Sequence, residues 1–242
     1  MIMIGVAALI AVVLCLLFGI PYIEFMKKKA YSQYIREEVA QMHAYKEKTP
    51  TTGGVFIIAS IIIASLITLF MAQQTTTSAT IVLMTLIFYS FTGFEDDIKK
   101  IKAHQNLGLS ARAKLMLQIA VAMLPSLYLI LENQAGITFF GLNIELGYLY
   151  PFLAIFMLVG SSNAINLTDG LDGLAASTGA VAFLACAIIA QLSGHTYLAI
   201  IASAITGALL GFLRYNKPKA QVFMGDTGSL SIGGLLGVLA VM

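Results

Sequence analysis

The sequence predicts an all-α protein that crosses a membrane many times. Hydrophobic residues fill 59% of the 242 positions and charged residues only 11%, against about 25% charged in an ordinary soluble domain. Apolar runs recur at roughly the 17–25 residues that a helix needs to span a bilayer. All fourteen Lys and Arg fall into three short segments. Together these observations exclude a soluble globular class.

The basic segments orient the chain. The first holds Lys27, Lys28, Lys29, Arg36, Lys46 and Lys48; the second Lys99, Lys100, Lys102, Arg112 and Lys114; the third Arg214, Lys217 and Lys219. Short Lys/Arg-rich loops stay in the cytoplasm, so the three segments share one side and even numbers of spans must separate them. The net charge of +2 names no partner by itself, and nothing points to nucleic acid. Cys15 and Cys186 lie in different apolar runs and imply neither a disulfide nor a metal site.

Taken in order, residues 2–25 form a first span, stopped by the Lys27–Lys29 cluster, which puts the N-terminus outside. No basic n-region or small-residue cleavage site precedes it, so it reads as a retained span. Residues 30–48 are polar enough for an interfacial or cytosolic helix, and TPTTGG (49–54) breaks regular structure before a second span at 55–72. A third span follows at 79–94, a basic loop at 95–114 and a fourth span at 115–131, with a kink expected at Pro125. The alternation in ITFFGLNIEL, between 132 and 147, predicts a short external hairpin. Spans five (148–165), six (174–192) and seven (196–213) complete the set. An eighth apolar segment runs from about Leu230 to Met242, too short for a core of about 30 Å, so a C-terminal part is expected to be missing. Two spans separate the first and second basic segments and four the second and third. No repeat or linker divides the chain, so residues 1–242 read as one membrane domain.

The aspartates mark a site. All five, Asp96, Asp97, Asp169, Asp172 and Asp226, fall in the cytosolic segments that end spans three, five and seven. Polar groups are costly in so apolar a chain and tend to be functional. Asp96 and Asp97, in FEDDIKKIK, repel each other unless a divalent cation or nearby Lys relieves them; the plain alternative is a charge-balanced helix end. In NAINLTDGLDGLA, Asp169 and Asp172 have the spacing of one helix face, beside Asn163, Asn166, Gly170 and Gly173. Capping of span six by Thr168 or Asp169 is the plain alternative there. In FMGDTGSLSIGG, Asp226 starts span eight, where free helix N–H groups favour phosphate, and Phe223 reads as an exposed stacking face for a base. Carboxylates at a membrane face suit Mg²⁺, which takes one or two of them with waters and substrate phosphates. A ring of Lys46, Lys100 and Lys114 suits phosphate charge. A cytosolic diphosphate donor and a lipid phosphate from the bilayer could meet only at such a boundary.

TPTTGG, EDDIKK with NLGLSARAKL, NAINLTDGLDGLA and FMGDTGSLSIGG, in this order from about residue 43, resemble the motifs of the polyprenyl-phosphate N-acetylhexosamine-1-phosphate transferase superfamily. TPT rather than TPR, NLTDGLDGLA and GDTGSL are similar to its muramoyl-pentapeptide branch. The resemblance implies a fold of about ten spans in a bacterial inner membrane, with the active site on the cytosolic face. The implied reaction joins UDP-N-acetylmuramoyl-pentapeptide and undecaprenyl phosphate with Mg²⁺, giving lipid I and UMP, the first membrane step of peptidoglycan synthesis. A homodimer is compatible with it.

The same resemblance makes Asp96 and Asp97 the catalytic pair, the first a proposed base, and Asp226 the metal ligand. Asn166, Asp169 and Asp172 match nucleotide-side residues, Phe223 a uracil-stacking ring, and Lys46 the lysine before TPT. Thr49, Lys100, Lys114, Asn163 and Gly170 complete the expected substrate-binding set. Lys48 stands where a Gly is usual and Thr52 where Met is common, and the family's histidine-rich loop falls after span eight, beyond Met242. Alternatives are a related N-acetylglucosamine-1-phosphate transferase, a secondary transporter, an intramembrane aspartyl protease and a CDP-alcohol phosphotransferase. Transporters place acids at mid-span in broken helices, the protease needs two Asp inside spans, and the last enzyme's Asp/Gly/Ala-Arg spacing is absent from this sequence.

Overall fold

Backbone groups have no water to bond in a bilayer, so a chain of this composition satisfies them within helices. The computed structural model describes residues 2–28, 49–103, 107–132, 134–139 and 142–242. Helix α1 covers Ile2–Lys28, α2 Gly54–Met71, α3 Thr77–Ala103 and α4 Ala111–Leu131. Strands β1 (Gly136–Phe139) and β2 (Leu142–Glu145) form the expected hairpin, antiparallel with Ile137 opposite Ile144. A 3-10 turn at Gly147–Leu149 leads into α5 (Tyr150–Thr168), then α6 (Leu174–Leu192), α7 (Thr196–Asn216) and α8 (Gly225–Val241). Among the described residues, seven helices are long and apolar enough to cross a membrane, and α8 is shorter. The protein is therefore an all-α polytopic membrane protein.

Helix α7 is buried along nearly its whole length, clasped by α1, α2 and α6. Helix α8 is the second axis, held between α3 and α5 and touching α2, while α4 closes the far side against α3 and α5. Lipid tails give helices no hydrophobic reason to associate, so small residues and polar bridges do the joining. A Cβ on Gly207 of α7 would lie 2.2 Å from the Ala8 carbonyl oxygen of α1. Hydroxyl bridges add to this: Ser203 donates to the Ile4 carbonyl at 2.7 Å, and Ser162 of α5 to the Leu230 carbonyl of α8 at 2.9 Å. Large apolar side chains such as Leu9, Phe70, Phe152 and Leu192 stay exposed, as lipid-facing positions require.

Several boundaries differ from the sequence reading. Helix α3 does not end at residue 94 but carries EDDIKKIK to Ala103. The Asp96–Lys100 pair, one turn apart with Nζ and Oδ2 at 2.6 Å, stabilises that extension. Helix α4 starts at Ala111 rather than 115, because the Ser110 hydroxyl accepts the Ala113 N–H at 3.3 Å, and it continues unbroken through Pro125. Helix α8 starts at Gly225, beside the Asp226 read as its start, and the apolar run from about Leu230 is its later part.

Candidate active site

Four helix termini meet at one end of the bundle: the C-terminal parts of α3 and α5 and the first turns of α4 and α8. Asp96, Asp97 and Asp226 converge there, buried, each offering an oxygen within 4.8 Å of the others. The backbone lets them meet because glycine lines the crossing. A Cβ on Gly93 of α3 would sit 2.1 Å from the Asp226 carbonyl oxygen, and one on Gly54 of α2 would sit 2.1 Å from the Gly228 nitrogen.

Asp97 serves the start of α8. Its Oδ1 accepts the Asp226 N–H at 3.0 Å, and its Oδ2 accepts the Thr227 N–H at 2.9 Å and the Thr227 hydroxyl at 2.6 Å. The first N–H groups of a helix lack internal partners, and a carboxylate there also meets the positive end of the helix dipole. That contact explains why α8 begins so early. Gly225, at φ +71°, makes the turn into it.

Asp96 and Asp226 share two lysines. Lys100 lies 2.6 Å from Asp96 Oδ2 and 3.2 Å from Asp226 Oδ1. Lys114 lies 3.3 Å from Asp96 Oδ2 and also contacts Asp226 Oδ2. The Leu109 N–H adds a 2.8 Å bond to Asp96 Oδ1, so the turn at 107–110 lies against this acid. Asn166 donates to Asp226 Oδ1 at 3.0 Å and to the Ser229 hydroxyl at 2.8 Å. Burial works against charge on Asp226, yet Lys100 and Lys114 hold its carboxyl well below the usual carboxylate range.

TPTTGG is more than a turn. Phe223 N–H donates to the Pro50 carbonyl at 2.9 Å, and Gly53 and Gly54 donate to the Phe223 and Met224 carbonyls at 2.8 Å each. The loop before α8 is thus laced to the loop before α2. Thr49 is buried, with its hydroxyl 3.5 Å from the Ala220 carbonyl.

The NAINLTDGLDGLA stretch is split by the fold. Asp169 is the C-cap of α5, and Asp172 lies in the turn before α6, so the two acids do not share a helix face. Gly170 is exposed in the same turn. Neither Thr168 nor Asp169 caps α6; Gly173, at φ +77°, holds that position without a side-chain cap. Asp172 Oδ2 accepts the Ala220 N–H at 3.1 Å. Asn216 accepts the Gly173 N–H and donates to the Val222 carbonyl, both at 3.0 Å, so this turn anchors the loop that precedes α8. Asn163 points its amide at Gln118 of α4, at 2.8 Å. Phe223 is 7% exposed and packed inward, not an open stacking face. Lys46 lies outside the described residues. Gln118 and Asn216 escaped the sequence reading; a lone polar residue four positions after Lys114 in an apolar run was the available signal for Gln118.

A groove of about 330 Å³ opens beside the site between α2 and α3. It is lined by Val55, Ile58, Ile62, Ile87, Phe91 and Phe94 among others and reaches Thr227.

The many-span helical bundle defines an integral membrane protein, and at one of its ends three buried carboxylates lie close enough together to hold a metal ion. The profile of glycosyl transferase family 4 matches residues 79–242. A phospho-N-acetylmuramoyl-pentapeptide-transferase of Halalkalibacterium halodurans is 44% identical over 226 residues, covering 91% of this chain and 69% of that protein. The transferase of the same name from Oceanobacillus iheyensis is 45% identical, covering 100% and 74%, and that of Bacillus thuringiensis 41%, covering 98% and 73%. The chain belongs to the phospho-N-acetylmuramoyl-pentapeptide-transferase family within glycosyl transferase family 4, and it is a phosphosugar transferase.

Proposed function

We propose that the protein transfers phospho-N-acetylmuramoyl-pentapeptide from its UDP-linked donor to undecaprenyl phosphate, giving lipid I and UMP. The observation that carries this reading is the Asp96–Asp97–Asp226 cluster with Lys100 and Lys114 bonded into it, in a chain 44% identical to a transferase of that name. An oxygen of the acceptor phosphate forms a bond to the donor's sugar-linked phosphorus, the diphosphate bridge breaks, and UMP leaves. Such phosphoryl transfer rests on positioning and charge neutralisation.

Three buried carboxylates with oxygens this close are an all-oxygen donor set suited to Mg²⁺. Asp226 is the ligand proposed, with Asp96 beside it; Asp97 is already committed to α8. The cation, when bound, supplies Lewis-acid polarisation of the phosphoryl oxygens. Lys100 and Lys114 hold phosphate charge, Asn166 keeps Asp226 oriented, and Asp96 is the residue proposed to take the acceptor's proton. Asp169 stays proposed for the nucleotide side, and Gly170, Thr49 and Lys46 for substrate binding. The groove between α2 and α3 gives an apolar approach for a lipid acceptor. The basic segments support a cytosolic site in a bacterial inner membrane, and the packing of the described helices on one another supports a single domain.

The test is UMP release by the full-length protein from UDP-N-acetylmuramoyl-pentapeptide with undecaprenyl phosphate and Mg²⁺. Turnover with UDP-N-acetylglucosamine alone would overturn the donor assignment and keep the family.

A further inference from the structure

Asp226 is gripped from two helices at once, Lys114 of α4 on Oδ2 and Asn166 of α5 on Oδ1. Nothing in those contacts sets the distance between α4 and α5. One turn deeper on α4 lies Gln118, 1% exposed, and three residues back on α5 lies Asn163. Their amides face each other: Asn163 Nδ2 donates to Gln118 Oε1 at 2.8 Å, and Gln118 Nε2 returns a longer bond of 3.4 Å to Asn163 Oδ1. Asn163 Nδ2 also donates to the Val159 carbonyl at 2.8 Å, which fixes its rotamer. On the other side, the buried Tyr89 hydroxyl of α3 donates to the Gln118 carbonyl at 3.2 Å. Gln118 is thus held from both sides, its main-chain carbonyl by Tyr89 of α3 and its side-chain amide by Asn163 of α5, one turn along α4 from Lys114. With Gln118 buried and Asn163 half-buried in an apolar bundle, the two amides have few other partners, so the pairing specifies one spacing of the helices.

We propose that Gln118 and Asn163 are a positioning pair, holding α4 and α5 at the separation that lets Lys114 and Asn166 reach the two oxygens of Asp226 together. Asn163, expected from the sequence to contact substrate, thereby acts through the helix spacing. The inference rests on the reading of Asp226 as an active-site carboxylate.

The full-length protein in detergent provides the test, with Gln118→Leu, Asn163→Leu, their double variant, and the swap Gln118→Asn with Asn163→Gln. One readout needs no turnover: amine acylation of Lys114, read by mass spectrometry against the exposed Lys102. Each single variant is expected to raise Lys114 labelling about fivefold, the double no further, and the swap to return it to within about twofold of the parent, as coupled neighbours do. In the UMP-release assay kcat falls about tenfold in each single variant while the donor KM stays within about twofold. Thermal midpoints accompany every variant, and Gln118→Met, closest in volume, replaces Gln118→Leu if that chain aggregates. Unchanged Lys114 labelling in the Gln118 variant, with donor KM rising only in Asn163→Leu, overturns the pair and returns Asn163 to the substrate. A parent protein that releases no UMP from the muramoyl donor overturns the function instead, and the labelling still reads the pair.

Discussion

Thr227 is bound to Asp97 twice, its N–H and its hydroxyl both donating to Oδ2, at 2.9 and 2.6 Å. One buried carboxylate therefore ties the end of α3 to the start of α8 and fixes where Asp226 stands. Thr227→Val removes one of the two bonds and is expected to cost about 1–3 kcal/mol, read as a lowered thermal midpoint in detergent. Asp97→Asn sets an amide N–H against helix N–H donors and is expected to lower the midpoint further, with turnover lost. A fully stable, fully active Asp97→Asn protein would contradict the capping role.

Helix α3 crosses α8 at Gly93. Gly93→Ala places a methyl 2.1 Å from the Asp226 carbonyl oxygen, and backbone cannot step aside as a side-chain end can. Overpacking of this kind costs about 1–3 kcal/mol. The expected outcome is a folded protein with kcat reduced at least tenfold, measured beside Gly5→Ala, where a Cβ meets nothing within 4 Å.

Chelation by EDTA is expected to stop UMP release, and added Mg²⁺ to restore it. Asp226→Asn should remove Mn²⁺ binding, followed by electron paramagnetic resonance, together with turnover. Metal binding that survives in Asp226→Asn but vanishes in Asp96→Asn would move the ligand role to Asp96.

Lys114 holds the same carboxylates that a cation needs. Lys114→Met leaves the site more negative, so Mn²⁺ affinity is expected to rise roughly tenfold. Turnover should fall in the same protein if Lys114 has the phosphate-holding role proposed for it. Opposite movement of the two quantities is the diagnostic result.

Asp172 accepts a backbone N–H from Ala220. Asp172→Asn keeps an oxygen there and is expected to retain activity within about threefold, whereas Asp172→Ala frees the loop before α8 and lowers kcat more than tenfold. Equal loss in both variants, with donor KM raised, would show that the charge itself meets the donor.

The spans were legible because apolar length and basic clustering are properties of single segments. The convergence of the acids on one face was legible for the same reason, since charge topology puts Asp96, Asp97 and Asp226 on one side. What stayed hidden depends on partners far away in the chain. Asp226 marks the start of α8 locally, but its bonding to Asp97, 129 residues earlier, has no local signal. Phe223 reads as an exposed ring because it stands close to Gly225 in a polar loop, yet its N–H is bonded to Pro50 and its ring is packed inward. Asp169 and Asp172 have the spacing of a helix face, but two glycines beside them favour the turn that the structure adopts. Gln118 was read as part of a span because a single amide hardly alters the apolar average.

The distance along the chain between Asp97 and its donors has a consequence for biosynthesis. Asp97 leaves the ribosome 129 residues ahead of Asp226. Until α8 enters the membrane, the carboxylates of α3 have no helix terminus to bind and stay hydrated at the lipid–water boundary. Insertion of α8 brings Asp226 to them, so a nascent chain interrupted before that helix carries all of α3 and α4 but lacks the third carboxylate of the cluster.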